Sequence, residues 1–194
     1  MLAEVLYRNH EDLGAAFELT TADSSLRLTG EVDWSNGAGH AMVAAIPADP
    51  TFPAEVYWRG GIVYERIPAR TSEAFNATGK TVEFFDPPAD PQHRRFDALL
   101  ALISSLAAEQ PDNALLVQQN GATHVSEATV DGEPVAVFGA ENGLYWVNGV
   151  GELVRYQKLT NGEASFTVDL ADRGRKAIAV PSPRVDPPET DSGR

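Results

Sequence analysis

The side chains that most often carry metal or acid–base chemistry are scattered along this chain of 194 residues. The four histidines are His10, His40, His93 and His124. None belongs to a His-Glu-x-x-His motif or to another spacing typical of metal ligands. The chain has no cysteine, which excludes disulfides, thiolate metal ligands and a cysteine nucleophile. We therefore expect no metal site, no cofactor and no catalytic residue.

Other short motifs give equally little support for an enzyme. No Gly-x-Ser-x-Gly motif occurs, so nothing indicates an α/β-hydrolase. The run Gly37-Ala38-Gly39 is too short for a dinucleotide-binding fingerprint, and we interpret its glycines as turn residues. The sequon Asn76-Ala77-Thr78 is a three-residue match that arises often by chance. Two carboxylates need only be close in space to form a glycosidase-type site, so an enzyme with dispersed acidic residues stays an alternative.

Composition restricts the partners and the compartment. The chain has 28 acidic and 15 basic residues, a net charge of −13, which argues against a nucleic-acid partner. No stretch is apolar and long enough to cross a bilayer, and no signal peptide is recognisable after Met1, which could follow a removed leader. We expect a single domain over residues 1–181 and a disordered acidic, proline-rich tail over 182–194.

The elements that must position any site are mostly strands. From Leu26 to Trp34 apolar and polar residues alternate strictly, which is typical of a strand with one dry and one wet face. The dipeptide Asn36-Gly37 then predicts a hairpin. The same reading predicts further strands over 15–22, 40–47, 55–58, 62–67, 81–85, 122–130, 133–138, 144–147, 152–159, 163–170 and 178–180.

Two segments have helical periodicity instead. Residues 2–13 predict a short helix, and a longer one begins with Asp90 as N-cap and Pro91 at the first helical position. It ends before residues 111–113. Its apolar stripe consists of Phe96, Leu99, Leu100, Ile103, Leu106 and Ala107. A sheet of about ten one-sided strands needs its dry face covered, so we expect a curved sheet around one or two helices. A β-sandwich with the long helix as a crossover is the alternative.

Four stretches give this chain a resemblance to a known superfamily. They are Leu-Thr-Gly-Glu-Val-Asp-Trp at 28–34, Val-Tyr-Trp-Arg-Gly-Gly-Ile-Val-Tyr-Glu-Arg at 56–66, Thr-Val-Asp-Gly-Glu-Pro-Val at 129–135, and Leu-Tyr-Trp-Val-Asn at 144–148 followed by Gly-Glu-Leu-Val-Arg at 151–155. In their order and spacing they resemble the LolA-like lipoprotein carriers, and among these the actinobacterial cell-envelope lipoproteins of the LppX and LprG type. The match spans residues 15–181. The lipobox cysteine is missing, and residues 80–86 contain Glu83-Phe84 where the family has a tryptophan-containing strand.

The resemblance implies an α+β fold, a strongly curved antiparallel half-barrel with one or two helices on its concave face. It also implies an extracytoplasmic, non-catalytic protein, anchored at the outer face of the cell membrane, whose apolar cavity binds a lipid or other apolar ligand. Burial of each methylene contributes about 0.8 kcal/mol, so acyl chains bind without polar contacts. A second class of protein stays an alternative. It is a sensory or regulatory ectodomain that uses the same half-barrel to bind an envelope protein partner.

The cavity candidates combine an apolar side chain with an expected inward orientation. This expectation depends on strand register, because a shift of one residue moves every side chain to the other face. The candidates are Phe17, Leu28, Val32, Trp58, Tyr64, Leu99, Ile103 and Tyr145.

Overall fold

A computed structural model describes residues 2–48, 53–60, 62–66, 76–77, 91–107, 122–140 and 143–181. Two α-helices, one 3₁₀ turn and eleven strands lie within these ranges. The helices are α1 (Leu2–Glu11) and α2 (Pro91–Ser105), and the 3₁₀ turn is Trp34–Asn36. The strands are β1 (Gly14–Thr21), β2 (Leu26–Asp33), β3 (Ala38–Ala45), β4 (Glu55–Arg59), β5 (Ile62–Arg66), β6 (Asn76–Ala77), β7 (Thr123–Val130), β8 (Glu133–Ala140), β9 (Gly143–Asn148), β10 (Leu153–Thr160) and β11 (Glu163–Ala171).

All eleven strands form one antiparallel sheet in the order β6-β5-β4-β3-β2-β1-β11-β10-β9-β8-β7. The first six strands extend outward from β1, α2 lies in the crossover, and the last five return from the opposite edge. The two halves join in the middle of the sheet, where β1 pairs with β11 from Ala16 opposite Ala171 to Thr21 opposite Phe166. The curved, unclosed sheet with two helices confirms the predicted half-barrel, and the β-sandwich alternative is wrong.

The alternation of the sequence becomes two distinct faces. Along β1, Ala15, Phe17, Leu19 and Thr21 are buried, whereas the residues between them are half-buried. Residues that are paired across two strands point to the same face of the sheet, so the buried face of β1 continues onto the strands on either side of it. It packs against Val5 of α1 and against the apolar stripe of α2, which places both helices on the concave side. The stripe residues Leu99, Leu100, Ile103 and Leu106 are all buried, as predicted.

The hairpin predicted at Asn36-Gly37 is confirmed, since β2 and β3 pair antiparallel from Leu26 opposite Ala45 to Asp33 opposite Ala38. Its connection is the 3₁₀ turn Trp34–Asn36, followed by Gly37 with a φ of 55°. The Asp33 side chain accepts a hydrogen bond from the Asn36 backbone N–H, which favours this turn over a two-residue one. The strand predicted over residues 178–180 is wrong, because these residues form no strand. The backbone carbonyl of Ile178 accepts a hydrogen bond from Arg59 Nη2 (3.0 Å), a side-chain contact in place of a ladder.

Several other predictions lie outside the described residues. These are the strand at 81–85, the N-cap Asp90, the helix end at 111–113 and the tail at 182–194.

Candidate functional site

The concave face brings six of the eight predicted cavity residues together in one buried cluster. Each is at most 3% exposed. The sheet contributes residues from three strands, and α2 contributes two from its apolar stripe. The six are Phe17, Leu28, Val32, Trp58, Leu99 and Ile103.

Trp58 is at the centre of this cluster because the strand beside it leaves room for its ring. It pairs with Gly39, where an added Cβ would lie 1.8 Å from the Trp58 Cζ2 atom. The indole therefore lies flat over the backbone of β3 and reaches toward Phe17, at 6.3 Å between ring centroids. Its Nε1 donates to Ser104 Oγ of α2 at 3.1 Å, which satisfies the only polar atom of a ring that is 1% exposed.

Two further hydrogen bonds connect the end of α2 to the concave face. Trp34 Nε1 donates to the carbonyl of Ile103 (3.1 Å), and Asn9 Nδ2 donates to the carbonyl of Leu106 (2.6 Å). The last carbonyls of a helix lack the usual N–H partner four residues further on. The Ile103 carbonyl also accepts from the Leu106 backbone N–H (3.3 Å), so Trp34 is its second donor, and Asn9 supplies a donor to the Leu106 carbonyl. Asn9 is completely buried, and Arg173 Nη1 donates to its Oδ1 at 2.7 Å. Asn9 follows the buried Val5 by four residues and so lies on the same face of α1, where its polarity is the one sequence signal of this role.

Tyr64 does not join the cluster, which corrects its expected inward orientation. It is opposite Tyr57, whereas its neighbour Val63 is opposite Trp58. Tyr64 therefore lies on the convex face. The expected orientation was one residue out of register on β5, which moves Tyr64 to the other face.

Tyr145 is half-buried at the side of the cluster, in the second half of the sheet. Its ring centroid lies 4.9 Å from that of Tyr156, its cross-strand partner. Burial, together with the charge and hydrogen bond of Tyr145, raises the pKa of Tyr156 well above the ordinary value for tyrosine. The Tyr156 phenol thus stays neutral and contributes a polar hydroxyl to an otherwise apolar surface.

The concave face also contains a carboxylate that the sequence analysis missed. Glu65 is opposite Val56 on the inner face of β5 and is 2% exposed. Glu65 stands between Tyr64 and Arg66 in the sequence, so only the strand register shows that it is the residue that points inward.

On the convex face, a cleft of about 650 Å³ follows β1, β2, β10 and β11. The turns β7–β8 and β9–β10 form its walls, and six carboxylates and one guanidinium are in its lining. Several of these carboxylates have basic neighbours, such as Glu18 with Arg27 and Asp169 with Arg155. Hydrogen bonding to Asp169 raises the pKa of Arg155.

Among the residues that the structure describes, no three His, Cys, Asp or Glu side chains are grouped so that they could hold a metal ion. No helix in the same part of the chain is both long enough and apolar enough to cross a membrane.

Comparison with known proteins shows the fold and does not show a family. No protein-family model and no curated protein sequence matches this chain. Of the solved structures, 44 chains match. The lipoprotein LppX of Mycobacterium tuberculosis is 11% identical, with 91% of this chain and 97% of LppX covered and a TM-score of 0.52. This protein has the LppX-like, LolA-like half-barrel fold, so the resemblance predicted from the four sequence stretches is confirmed at the level of the fold.

Two other matches are more distant. MucB, solved in complex with MucA(peri), is 15% identical with a TM-score of 0.39, and the alignment covers 92% of this chain and 56% of MucB. A domain from Vibrio parahaemolyticus described as a putative outer membrane lipoprotein-sorting protein is 10% identical with a TM-score of 0.30, covering 92% and 93% of the two chains. Neither contributes to the fold assignment.

Proposed function

We propose that this protein binds the acyl chains of a lipid, or another apolar ligand, on the concave face of its half-barrel, and that it does so without catalysis. The observation that carries the proposal is the apolar concave face itself, on which Trp58 and the stripe of α2 pack in one cluster. Apolar contact is favourable in proportion to the area removed from water, so a ligand needs little more than a matching shape.

The proposal includes an extracytoplasmic location and an N-terminal membrane anchor. LppX is a lipoprotein, and we extend that property to this chain only as a part of the proposal, since one fold hosts many functions. The partners we propose are a lipid, the membrane surface, and no nucleic acid. The net charge of −13 supports the last of these.

The experiment compares two substitutions on neighbouring residues of β3. Val43 is half-buried on the inner face and packs against the core, whereas Met42 is 53% exposed on the convex face. We expect Val43→Phe to fill ligand space and to lower the uptake of cis-parinaric acid several-fold. Met42→Phe adds the same ring on the other side of the sheet and should leave uptake unchanged. Circular dichroism verifies that both variants are folded.

Mass spectrometry of an organic extract of the protein, purified from its native envelope, complements this comparison. Recovery of a lipid in near-stoichiometric amount would support the proposal and give the class of ligand. Equal uptake by the two variants, or no lipid in folded protein, would contradict it. That result would favour the second candidate, binding of an extended partner segment. The edge strand β7 supports that candidate, since it is exposed over residues 123–127 and carries Val125 at 56% exposure.

A further inference from the structure

At one end of the sheet, three elements border a small, open pocket of about 370 Å³. The 3₁₀ turn contributes Asn36, the end of β4 contributes Arg59, and the segment after β11 contributes its residues 175–179. This pocket is separate from the apolar cluster. Its notable property is its charge, because Arg59, Arg175 and Lys176 all line it in a chain with only 15 basic residues.

The walls of the pocket are held in place by hydrogen bonds between the three elements. The backbone N–H of Gly60 donates to the carbonyl of Gly37, which joins the β4–β5 turn to the 3₁₀ turn. Arg59 Nη2 donates to the carbonyl of Ile178 at 3.0 Å, and Ile178 is itself buried. The N–H of Gly174 donates to the carbonyl of Gly14 at 3.0 Å. The segment that carries two of the cations is therefore fixed at both ends.

Among the described residues, one carboxylate lines the pocket, and it is already hydrogen-bonded within its own turn. Asp33 accepts hydrogen bonds from Ser35 Oγ (2.6 Å), from the Asn36 backbone N–H (3.2 Å) and from Asn36 Nδ2 (2.7 Å). Asp33 is 3% exposed, so its negative charge is stabilised mainly by these hydrogen-bond donors.

The three basic side chains differ in whether their positive charge is already paired with a carboxylate. Lys176 is 9% exposed, and its Nζ binds Asp172 Oδ2 at 2.7 Å and lies 3.9 Å from Glu31 Oε1. Within the described ranges, no carboxylate forms an ion pair with Arg59 or with Arg175. Two guanidinium groups that form no ion pair in the described ranges therefore line the pocket together with the largely buried Lys176.

We infer that this pocket binds a phosphate group. Guanidinium groups present several N–H donors in a fixed planar fork that fits the oxygens of phosphate, and two of them on different walls can bind one anion together. The phosphate can belong to a lipid headgroup or to a free solute. Trp34 of the same 3₁₀ turn contacts α2 in the apolar cluster, so a headgroup in the pocket would lie beside the concave face.

The test is a titration with inorganic phosphate at constant ionic strength, followed by the backbone amide signals of Asn36, Arg59, Ala177 and Ala179 in NMR spectra. We expect saturable shifts at these four positions. Arg175→Gln removes an exposed guanidinium that makes no ion pair in the described ranges, so the variant should fold, and it should weaken phosphate binding about fivefold. The matched control is Arg27→Gln, which makes the same change of charge on the convex face, where Arg27 pairs with Glu18.

Two results would overturn the inference. Either the four amide signals do not move, or Arg175→Gln and Arg27→Gln weaken binding equally, as unspecific attraction to positive charge would. A second arm distinguishes the source of the phosphate. Co-sedimentation with phosphatidylglycerol vesicles that fails for Arg175→Gln and not for Arg27→Gln indicates a headgroup. Phosphate binding without vesicle binding indicates a free solute. Neither arm depends on acyl-chain uptake, so this inference and the proposed function fail separately.

Discussion

At the scale of single residues, this molecule uses a few polar side chains to place large apolar ones. Ser104, Asn9 and Trp34 each satisfy one polar atom where α2 meets the concave face. An unsatisfied buried donor or acceptor costs about 1–3 kcal/mol, so these bonds determine where the helix ends as much as apolar packing does. None of the three partnerships could be read from the sequence, because each joins residues at least 46 positions apart.

Asp33 gives a pH prediction at this scale. Burial alone would raise its pKa, but hydrogen bonds from Ser35 and Asn36 outweigh burial and lower the pKa below the ordinary value. A lowered pKa in the folded state stabilises the protein above the unfolded pKa, near 3.9, and that contribution is lost as pH falls through the folded pKa. Asp33→Asn should therefore be less stable than the wild type by about 1 kcal/mol at pH 7, with the difference shrinking toward pH 3.

Urea denaturation at a series of pH values measures this difference. Glu163→Gln, at the exposed first residue of β11, is the control, and its stability difference from the wild type should not shrink in the same way as pH falls. If the difference in free energy of unfolding between Asp33→Asn and the wild type stays constant from pH 7 to pH 3, the hydrogen-bond geometry matters and the charge does not.

At the scale of the elements, the sequence predicted the strands well where apolar and polar residues alternate and poorly where a side chain replaces the backbone ladder. Strands β1, β2 and β11 agree with the prediction to within a residue or two at their ends. Tyr64 was assigned to the wrong face because β5 has only five residues and gives too few alternations to fix its register. Residues 178–180 have the apolar character of a strand, but they pack beside Arg59 with no ladder.

The pairing of β3 with β4 provides a prediction at this scale. Gly39→Ala places a Cβ 1.8 Å from Cζ2 of Trp58, whose ring is buried and hydrogen-bonded to Ser104 and so has little room to move. The substitution should lower the free energy of unfolding by about 2–3 kcal/mol, as overpacking of a tight core does. Chemical denaturation measures the loss. Gly149→Ala, where nothing lies within 4 Å of the added Cβ, should cost far less.

A double variant shows whether the ring is the cause. In the background of Trp58→Leu, Gly39→Ala should cost much less than it does alone, since the clashing atoms are gone and the two effects are coupled. Additive losses would mean that the alanine disturbs the β3 backbone instead of the indole.

At the scale of the whole molecule, the half-barrel could be predicted because many weak signals agreed. Alternating strands, the turn signal Asn36-Gly37, a change of period at one long helix and a family-like order of motifs all indicate one sheet around helices. The sequence did not reveal that the two halves of the sheet join through β1 and β11. These two strands pair residues that lie about 150 positions apart. The sequence also contained no sign of the basic pocket, whose three cations come from two distant segments.

The net charge of −13 gives the last prediction. Twenty-eight acidic side chains against fifteen basic ones repel one another more closely in the folded state than in the expanded unfolded chain. Most of the described ion pairs involve at least one side chain more than a quarter exposed, and such pairs contribute little and are themselves screened by salt. Repulsion should therefore dominate the salt response, and raising NaCl from about 10 to about 200 mM should increase the melting temperature by about 2–4 °C, equivalent to about 1 kcal/mol.

A variant that combines Glu163→Gln with Glu133→Gln, both exposed, should show a smaller increase in melting temperature. A melting temperature that falls with added salt would mean that attraction within the ion pairs outweighs the repulsion of the whole charge distribution.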